Sequence, residues 1–430
     1  MEMKRFIPMA LLAILCNISV TVSAAVKSDG QNSDALMVSE ETNFSMQRLV
    51  DYGIVKLPAG CRNVESAHFD RHEMAVLTLQ AMKQIGMDAD GLIDGEKREN
   101  VKGYKETLSL KESLHQELKN MGMNQEYLMD DLSASSEAGE SKVNERRKFA
   151  VHGEIRYNYQ RNWGHKKWDW NDSRLRARIF LEARINDNWH AFGMLEANKH
   201  FLSQHGKDDW LDNRRFYVRG LTGDVLWTAG WYGYMLAEGN VFDSTVAGVT
   251  ANFGSPLNYE LTAGKTKAHG KILSANVKMI SEPAWYGAGI HHFTEDNWGN
   301  EERTIWHAFY DYKLNRDTWA GLMYLGSNLG DEDGRRHGFV ATVSTGKVRN
   351  WKPGTNMWQF KYYYQPTGTY MAHTMSGLAG YMKGGFRGPA VFYQRTILPN
   401  TVFNMEYYML RELTTGDKAN TWWTDVTYYF

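Results

Sequence analysis

The segment Arg174-Leu-Arg-Ala-Arg-Ile-Phe-Leu-Glu-Ala-Arg-Ile185 carries the decisive pattern. Arg174, Arg176, Arg178, Glu182 and Arg184 share one side of an extended chain, interrupted by Phe180. Leu175, Ala177, Ile179, Leu181, Ala183 and Ile185 share the other, because side chains alternate along a strand. A soluble β-sandwich shows such alternation too. The unbroken apolar side favours a membrane. On the lipid face each arginine near the midplane costs roughly 2–4 kcal/mol, so three cost about 6–12, comparable with a whole domain's stability. The arginines are therefore expected to face an aqueous lumen and the aliphatic side to face lipid.

Outward from this strand, period-two runs of about ten residues recur through residues 148–430. Sixteen can be drawn, from 149–159 to 421–430. Short turns at Asn186–Asp187, Gly223–Asp224, Asn315–Arg316 and Pro399–Asn400 alternate with long connections at 160–172, 200–211 and 366–385. Short turns on one side and long loops on the other are the mark of an outer-membrane barrel. The last run places Trp422, Thr424, Val426, Tyr428 and Phe430 on one face. Trp423, Asp425, Thr427 and Tyr429 take the other, and the sequence stops on Phe430. The mean hydropathy of -0.53 does not oppose this reading, since half of each strand faces water.

The region before residue 148 differs. All 15 tryptophans lie at or after Trp163. Residues 26–147 hold 15 basic against 22 acidic side chains, whereas 148–430 hold 32 against 27. Lys4 and Arg5, the apolar run Phe6 to Val22 and the small residues Ser23, Ala24 and Ala25 read as a secretory signal over 1–25. After its removal only Cys61 remains, so no internal disulfide is expected. Helical spacing appears around Phe44, Leu49 and Val50, again at Met74, Leu77, Ala81 and Ile85, and at Leu110, Leu114, Leu118 and Met121. Gly122 is a candidate stop, and 133–141 is a linker by composition. The expected fold is thus an all-β transmembrane antiparallel barrel of about 16 strands, 148–430. A small α-helical periplasmic domain (26–90) and a helical segment with linker (91–147) precede it.

Met46-Gln-Arg-Leu-Val-Asp-Tyr-Gly-Ile-Val55 and Phe69-Asp-Arg-His-Glu-Met-Ala75 resemble the S-layer-homology (SLH) domain of the OmpM type of porin. Glu117-Leu118, Leu128 and Gly153-Glu-Ile-Arg-Tyr157 resemble that family's helix and first strand. Further matches are Ala229-Gly230, Gly239, Phe242-Asp243, Gly248-Val249, the Lys352-Pro-Gly354 turn and the Phe430 ending. The Trp-containing lead-in that precedes the first helix in that family is replaced here by a polar stretch before Phe44. The resemblance implies a water-filled channel for small hydrophilic solutes. It also implies a tether to peptidoglycan or its linked polymer through the SLH-like domain, with Arg71 and Glu73 as wall-contacting residues. Phe430 would be the signal read by the barrel-insertion machinery. The alternative is a structural tether whose barrel is mainly an anchor.

Selectivity in such a channel comes from charged side chains at its narrowest point. The expected basic lining is Arg156, Arg174, Arg176, Arg178, Arg215 and Arg219. Segment 236–243, after the fifth strand, is expected to fold inward and turn Glu238 and Asp243 toward that wall. The competing reading pairs the arginines with Glu154, Glu182 and Glu196. Ala177, Ala183, Ala191, Gly193 and Ala197 give the second and third strands a small-residue outer surface, which suggests a homotrimer embedded in outer-membrane lipid. His68 and His72, beside Glu73, are better read as a solvated helix start than as metal ligands. His291 and His292 point to opposite faces of their strand. No catalytic residue, metal, cofactor or nucleic-acid partner is expected.

Overall fold

The computed structural model describes residues 38–87, 101–118 and 149–430, less a few positions inside those ranges. The signal segment 1–25, the linker 133–141, His68, Met121, Gly122 and Leu128 lie outside the described residues. The strands are β1 Phe149–His165, β2 Trp168–Arg184, β3 Trp189–His200, β4 Asp209–Thr222, β5 Val225–Leu236 and β6 Phe242–Phe253. Next come β7 Leu257–Thr266, β8 Lys271–Ser281, β9 Ala284–Phe293, β10 Arg303–Asn315 and β11 Thr318–Ser327. The wall ends with β12 His337–Lys347, β13 Asn356–Gln365, β14 Phe386–Leu398, β15 Thr401–Glu412 and β16 Lys418–Tyr429.

Each strand pairs antiparallel with its chain neighbour, and β1 pairs with β16 to close a 16-strand barrel. The last wall contact is reciprocal: Gly153 N donates to Phe430 O at 2.8 Å, and Phe430 N to Gly153 O at 2.9 Å. Outward positions carry an exposed apolar band that includes Ile155, Leu175, Leu261, Leu322, Phe360 and Val426. One expectation fails at the far end of β1 and β2. The stretch 160–172 is mostly strand, with Gln160, Arg161 and Asn162 paired to Asp172, Asn171 and Trp170. Polar residues on both faces there erase the period-two signal.

The β5–β6 hairpin does not stay in the wall. Its pairing with β4 ends at Trp231, and its pairing with β7 ends at Val246. Residues 232–245 lose their pairing to β4 and β7 and keep the hairpin ladder, up to Leu236 opposite Phe242, with a short parallel bridge from Phe242 to Ala372. At the departure point Gly230, Gly248 and Gly264 lie in one cross-strand row. Gly230 sits at φ 131°, and a Cβ on Gly248 would lie 2.4 Å from the Ala263 carbonyl oxygen. Only bare backbone lets three strands approach this closely while one hairpin bends inward.

Among the described residues, four helices precede the barrel: α1 Glu40–Asp51, α2 Val64–Ala67, α3 Arg71–Ile85 and α4 Tyr104–Ser113. Ser39 caps α1 by accepting from Thr42 N, and Asp70 and Glu73 form a capping box on α3. Gly86, in the left-handed region at φ 70°, ends α3. Met46, Leu49, Met74 and Leu77 share a buried core with Leu110, Leu114 and Leu118. Buried ion pairs Arg48–Glu106 at 2.8 Å and Arg71–Glu117 at 2.5 Å cross the same interior. Residues of the 91–147 segment, through Leu118, therefore contribute to this core. Burying the charged ends of both pairs is tolerable only because each carboxylate has its partner in place.

The glycine row can be tested without reference to function. Gly248→Val is expected to destabilise the barrel by about 1–3 kcal/mol, the usual cost of overpacking, seen as loss of compact gel mobility at lower temperature. Gly193→Val is the control, because a Cβ there meets only Leu181 and backbone at ordinary contact distances of 3.7 Å or more.

Candidate channel lumen

The inward face of β1 and β2 presents a belt of charge. Arg176 Nη2 donates to Glu154 Oε1 at 2.6 Å, and Arg178 Nε donates to Glu196 Oε2 at 2.6 Å. Arg156 Nε reaches Thr427 Oγ1 at 3.0 Å and lies 3.8 Å from Asp425. Arg174 Nε donates to Asn158 Oδ1 at 3.3 Å. On β4, Arg219 donates to Thr228 Oγ1 at 3.1 Å and lies over the Tyr217 ring. Of the carboxylates expected to pair with this wall, Glu154 and Glu196 do so, whereas Glu182 accepts from His190 Nδ1 at 2.6 Å. Pairing fixes the guanidinium groups in place of hydration, which holds the belt rigid.

The inward hairpin faces this belt. A Cβ on Gly233 would lie 2.5 Å from Arg215 Cζ, so the guanidinium of Arg215 is laid against bare hairpin backbone. Asp243 pairs with Met235 and shares Gly233's side of the hairpin. Glu238 does not face the arginines. Its carboxylate turns the other way, 3.7 Å from Lys361 on β13. The tip that carries it is strained: Ala237 and Glu238 both hold positive φ, at 51° and 55°. Each such residue costs roughly 1–2 kcal/mol. Asn240 Nδ2 bonded to Ala237 O at 2.8 Å and burial of Leu236, Val241 and Phe242 offset that cost.

The opposite side of the hairpin packs on the wall. Tyr234, Leu236 and Phe242 meet Phe293, Met323 and Tyr363 in one apolar cluster. A second inward segment, absent from the sequence-based expectation, joins it. Residues 367–375 were expected within an external loop, yet Thr367, Tyr370 and Met371 are buried. Arg303 Nη1 holds the carbonyls of Thr367 and Tyr370, at 2.9 and 3.4 Å, and Met371 N donates to Val241 O at 2.8 Å. The aromatic and methionine content of this stretch was the available signal. A buried chain of hydrogen bonds also escaped notice: Glu260–Tyr234–Ser274–His291–His307. His292, facing out, bonds to Thr304 instead.

Apolar packing thus fills the side of the barrel lined by β8–β14. The side lined by β1–β4 keeps more accessible charge, with 21% side-chain exposure at Arg178 and 30% at Arg214.

At the turn end of the barrel the helices meet the strands. Glu73 accepts from Arg349, at 2.9 Å to Nη2 and 3.0 Å to Nε, and Asp70 receives both Lys347 and Arg349. Burial pushes the Asp70 carboxyl up, but Lys347 and Arg349 together hold it below the ordinary carboxylate range. Arg71 is bonded to Glu117 and to Ser113 O, the latter at 2.5 Å. Burial, reinforced by the nearby charge of Glu73, pushes the Cys61 thiol up to about 12 and keeps it protonated.

No family model and no curated protein matches the chain. Among solved structures, the OmpF porin of Salmonella typhi is similar over 66% of this chain and 97% of its own, at 10% identity and a TM-score of 0.45. A mutant of the Rhodopseudomonas blastica porin is similar over 66% of this chain and 100% of its own, at 10% identity and a TM-score of 0.44.

Glu41 on α1 supplies a pH-dependent test. Burial and the charge of Asp224, in the β4–β5 turn, raise its carboxyl to about 7 against an opposing bond from Ser109. The folded state then holds a proton that the unfolded chain releases near 4.5, so stability falls as pH rises between these values. Glu41→Gln, which mimics the protonated form, is expected to raise the unfolding temperature of the helices at pH 8 and to change it little at pH 4.

Proposed function

We propose that this protein is an outer-membrane porin that passes small hydrophilic solutes, anions preferentially, through a lumen narrowed by the β5–β6 hairpin. One observation carries the reading. Residues 232–245 leave the wall and lie opposite a belt of arginines, with Arg215 against Gly233. A transverse arrangement of fixed charge beside an apolar filling orients dipolar solutes and disfavours greasy ones. The outward apolar band supports a lipid surround, and the signal-like pattern of 1–25 supports export.

Arg156, Arg174, Arg176, Arg178, Arg215 and Arg219 are the proposed lining, with Asp243 on the facing hairpin. Glu238 acts on the far side, with Lys361. The helical domain is assigned to the periplasm, where peptidoglycan or its linked polymer is its proposed partner. With Arg71 bonded to Glu117 and Glu73 to Arg349, that contact falls to other residues of the domain. The small-residue face around Gly193 is the proposed trimer contact.

Planar-bilayer recordings test the channel. Stepwise conductance with anion preference is expected, and Arg176→Ala/Arg178→Ala should shift selectivity toward cations, because Glu154 and Glu196 then lose their partners. An absence of conductance would leave only the anchoring role. Gly193→Trp is expected to convert a detergent-stable trimer to monomer on light scattering while the barrel stays folded.

A further inference from the structure

We propose that the helical domain is a lid over the turn-end mouth of the barrel, latched by ion pairs from α3 to the β12–β13 turn. The proposal rests on the channel reading and adds a closed state to it.

Contacts are distributed around the mouth. At the β2–β3 turn, Arg48 Nη2 donates to Asn188 Oδ1 at 3.1 Å, and the Phe44 ring meets His190 edge-on at 5.5 Å. The Arg184 guanidinium stands 5.6 Å from the centre of the Tyr52 ring. His190 and Arg184 are paired across β2 and β3 on the inward face. The helix α1 therefore covers the opening and not merely the rim. At the β4–β5 turn, Glu41 senses the charge of Asp224. At the β12–β13 turn, Lys347 and Arg349 hold Asp70 and Glu73, and Trp351 packs on Phe69 with ring centres 6.5 Å apart.

Position round the barrel sharpens the point. The β2–β3 and β12–β13 turns are separated, by the shorter route, by the β14–β15 turn and the seam where β16 meets β1. A body that touches both turns and also the inward residues between β2 and β3 spans a chord of the mouth. Charge favours the same arrangement, since the helical region is net acidic and the barrel region net basic. Arg349 keeps only 5% side-chain exposure, so its two carboxylate partners replace water almost entirely. A buried cation loses much when its partner is removed, which makes this contact a latch and not a passing surface pair.

The test is a charge swap recorded on the full-length protein in planar bilayers. Arg349→Glu sets like charges against Asp70 and Glu73 and should raise the open fraction about tenfold or more, a shift that small differential affinities produce. Adding Glu73→Arg restores opposite charge and should return the open fraction toward the wild-type value. Hydrogen exchange in α1 and in the turn 348–355 should rise and fall in parallel, while heat-modifiable gel mobility reports that the barrel is intact. Equal open fractions in all three proteins would overturn the lid and leave the channel standing. No current from any of them would overturn the channel and the lid together. Unchanged exchange after Arg349→Glu would show that the domain is not latched there.

Discussion

Pairing of β1 with β16 is the contact on which the rest depends. A sheet that spans hydrocarbon must leave no strand edge, because each unpaired amide or carbonyl there costs several kcal/mol. Closure is reached at Gly153 and Phe430, which exchange both backbone bonds. Gly153 has no side chain for a physical reason: a Cβ there would lie 2.5 Å from the Phe430 ring. With the perimeter closed, the interior becomes a compartment whose contents are free to differ from the wall. The β5–β6 hairpin uses that freedom. It leaves its neighbours but keeps its own ladder, so few backbone groups are orphaned by the move.

The interior is divided by polarity. Apolar packing anchors the hairpin and the 367–375 segment on the β8–β14 side. Arginines held by Glu154, Glu196 and Asp425 occupy the β1–β4 side. These are complementary solutions to one problem, since a narrow barrel interior tolerates neither unpaired charge nor empty space. Strain at Ala237 and Glu238 sits at the hairpin tip, beside Lys361 on β13. Strained backbone of this kind persists only where surrounding contacts over-determine it.

The helical core is assembled on similar terms. Its interior is apolar apart from two buried ion pairs, and two of its capping residues serve a second purpose. Asp70 and Glu73 satisfy the first turn of α3 and also face Lys347 and Arg349. A helix N-terminus attracts carboxylates and thereby presents them to a cationic neighbour. Of the motif that looks like a binding signature in sequence, Asp70 and Glu73 face the barrel, while Arg71 bonds within the helical core.

Period-two alternation determined the barrel, its 16 strands and the inward side of the β2 arginines, because the cost of charge in lipid leaves one choice of face. Helical spacing likewise marked Leu49, Leu77, Leu110 and Leu114, all of them buried. Alternation says on which side of its own strand a residue lies, but not whether that strand remains in the wall. The polar end of β1 and β2 and the bend at Gly248 were therefore invisible, and the buried Thr367–Met371 stretch left only its Tyr and Met content as a signal. Glu238 turned to Lys361 for the same reason. Contacts such as Gln365 Nε2 to Asn240 O join residues 125 positions apart, and only the closed barrel brings them to 3.0 Å. Sequence fixes local faces through short-range geometry, whereas what those faces meet is decided by packing across the lumen.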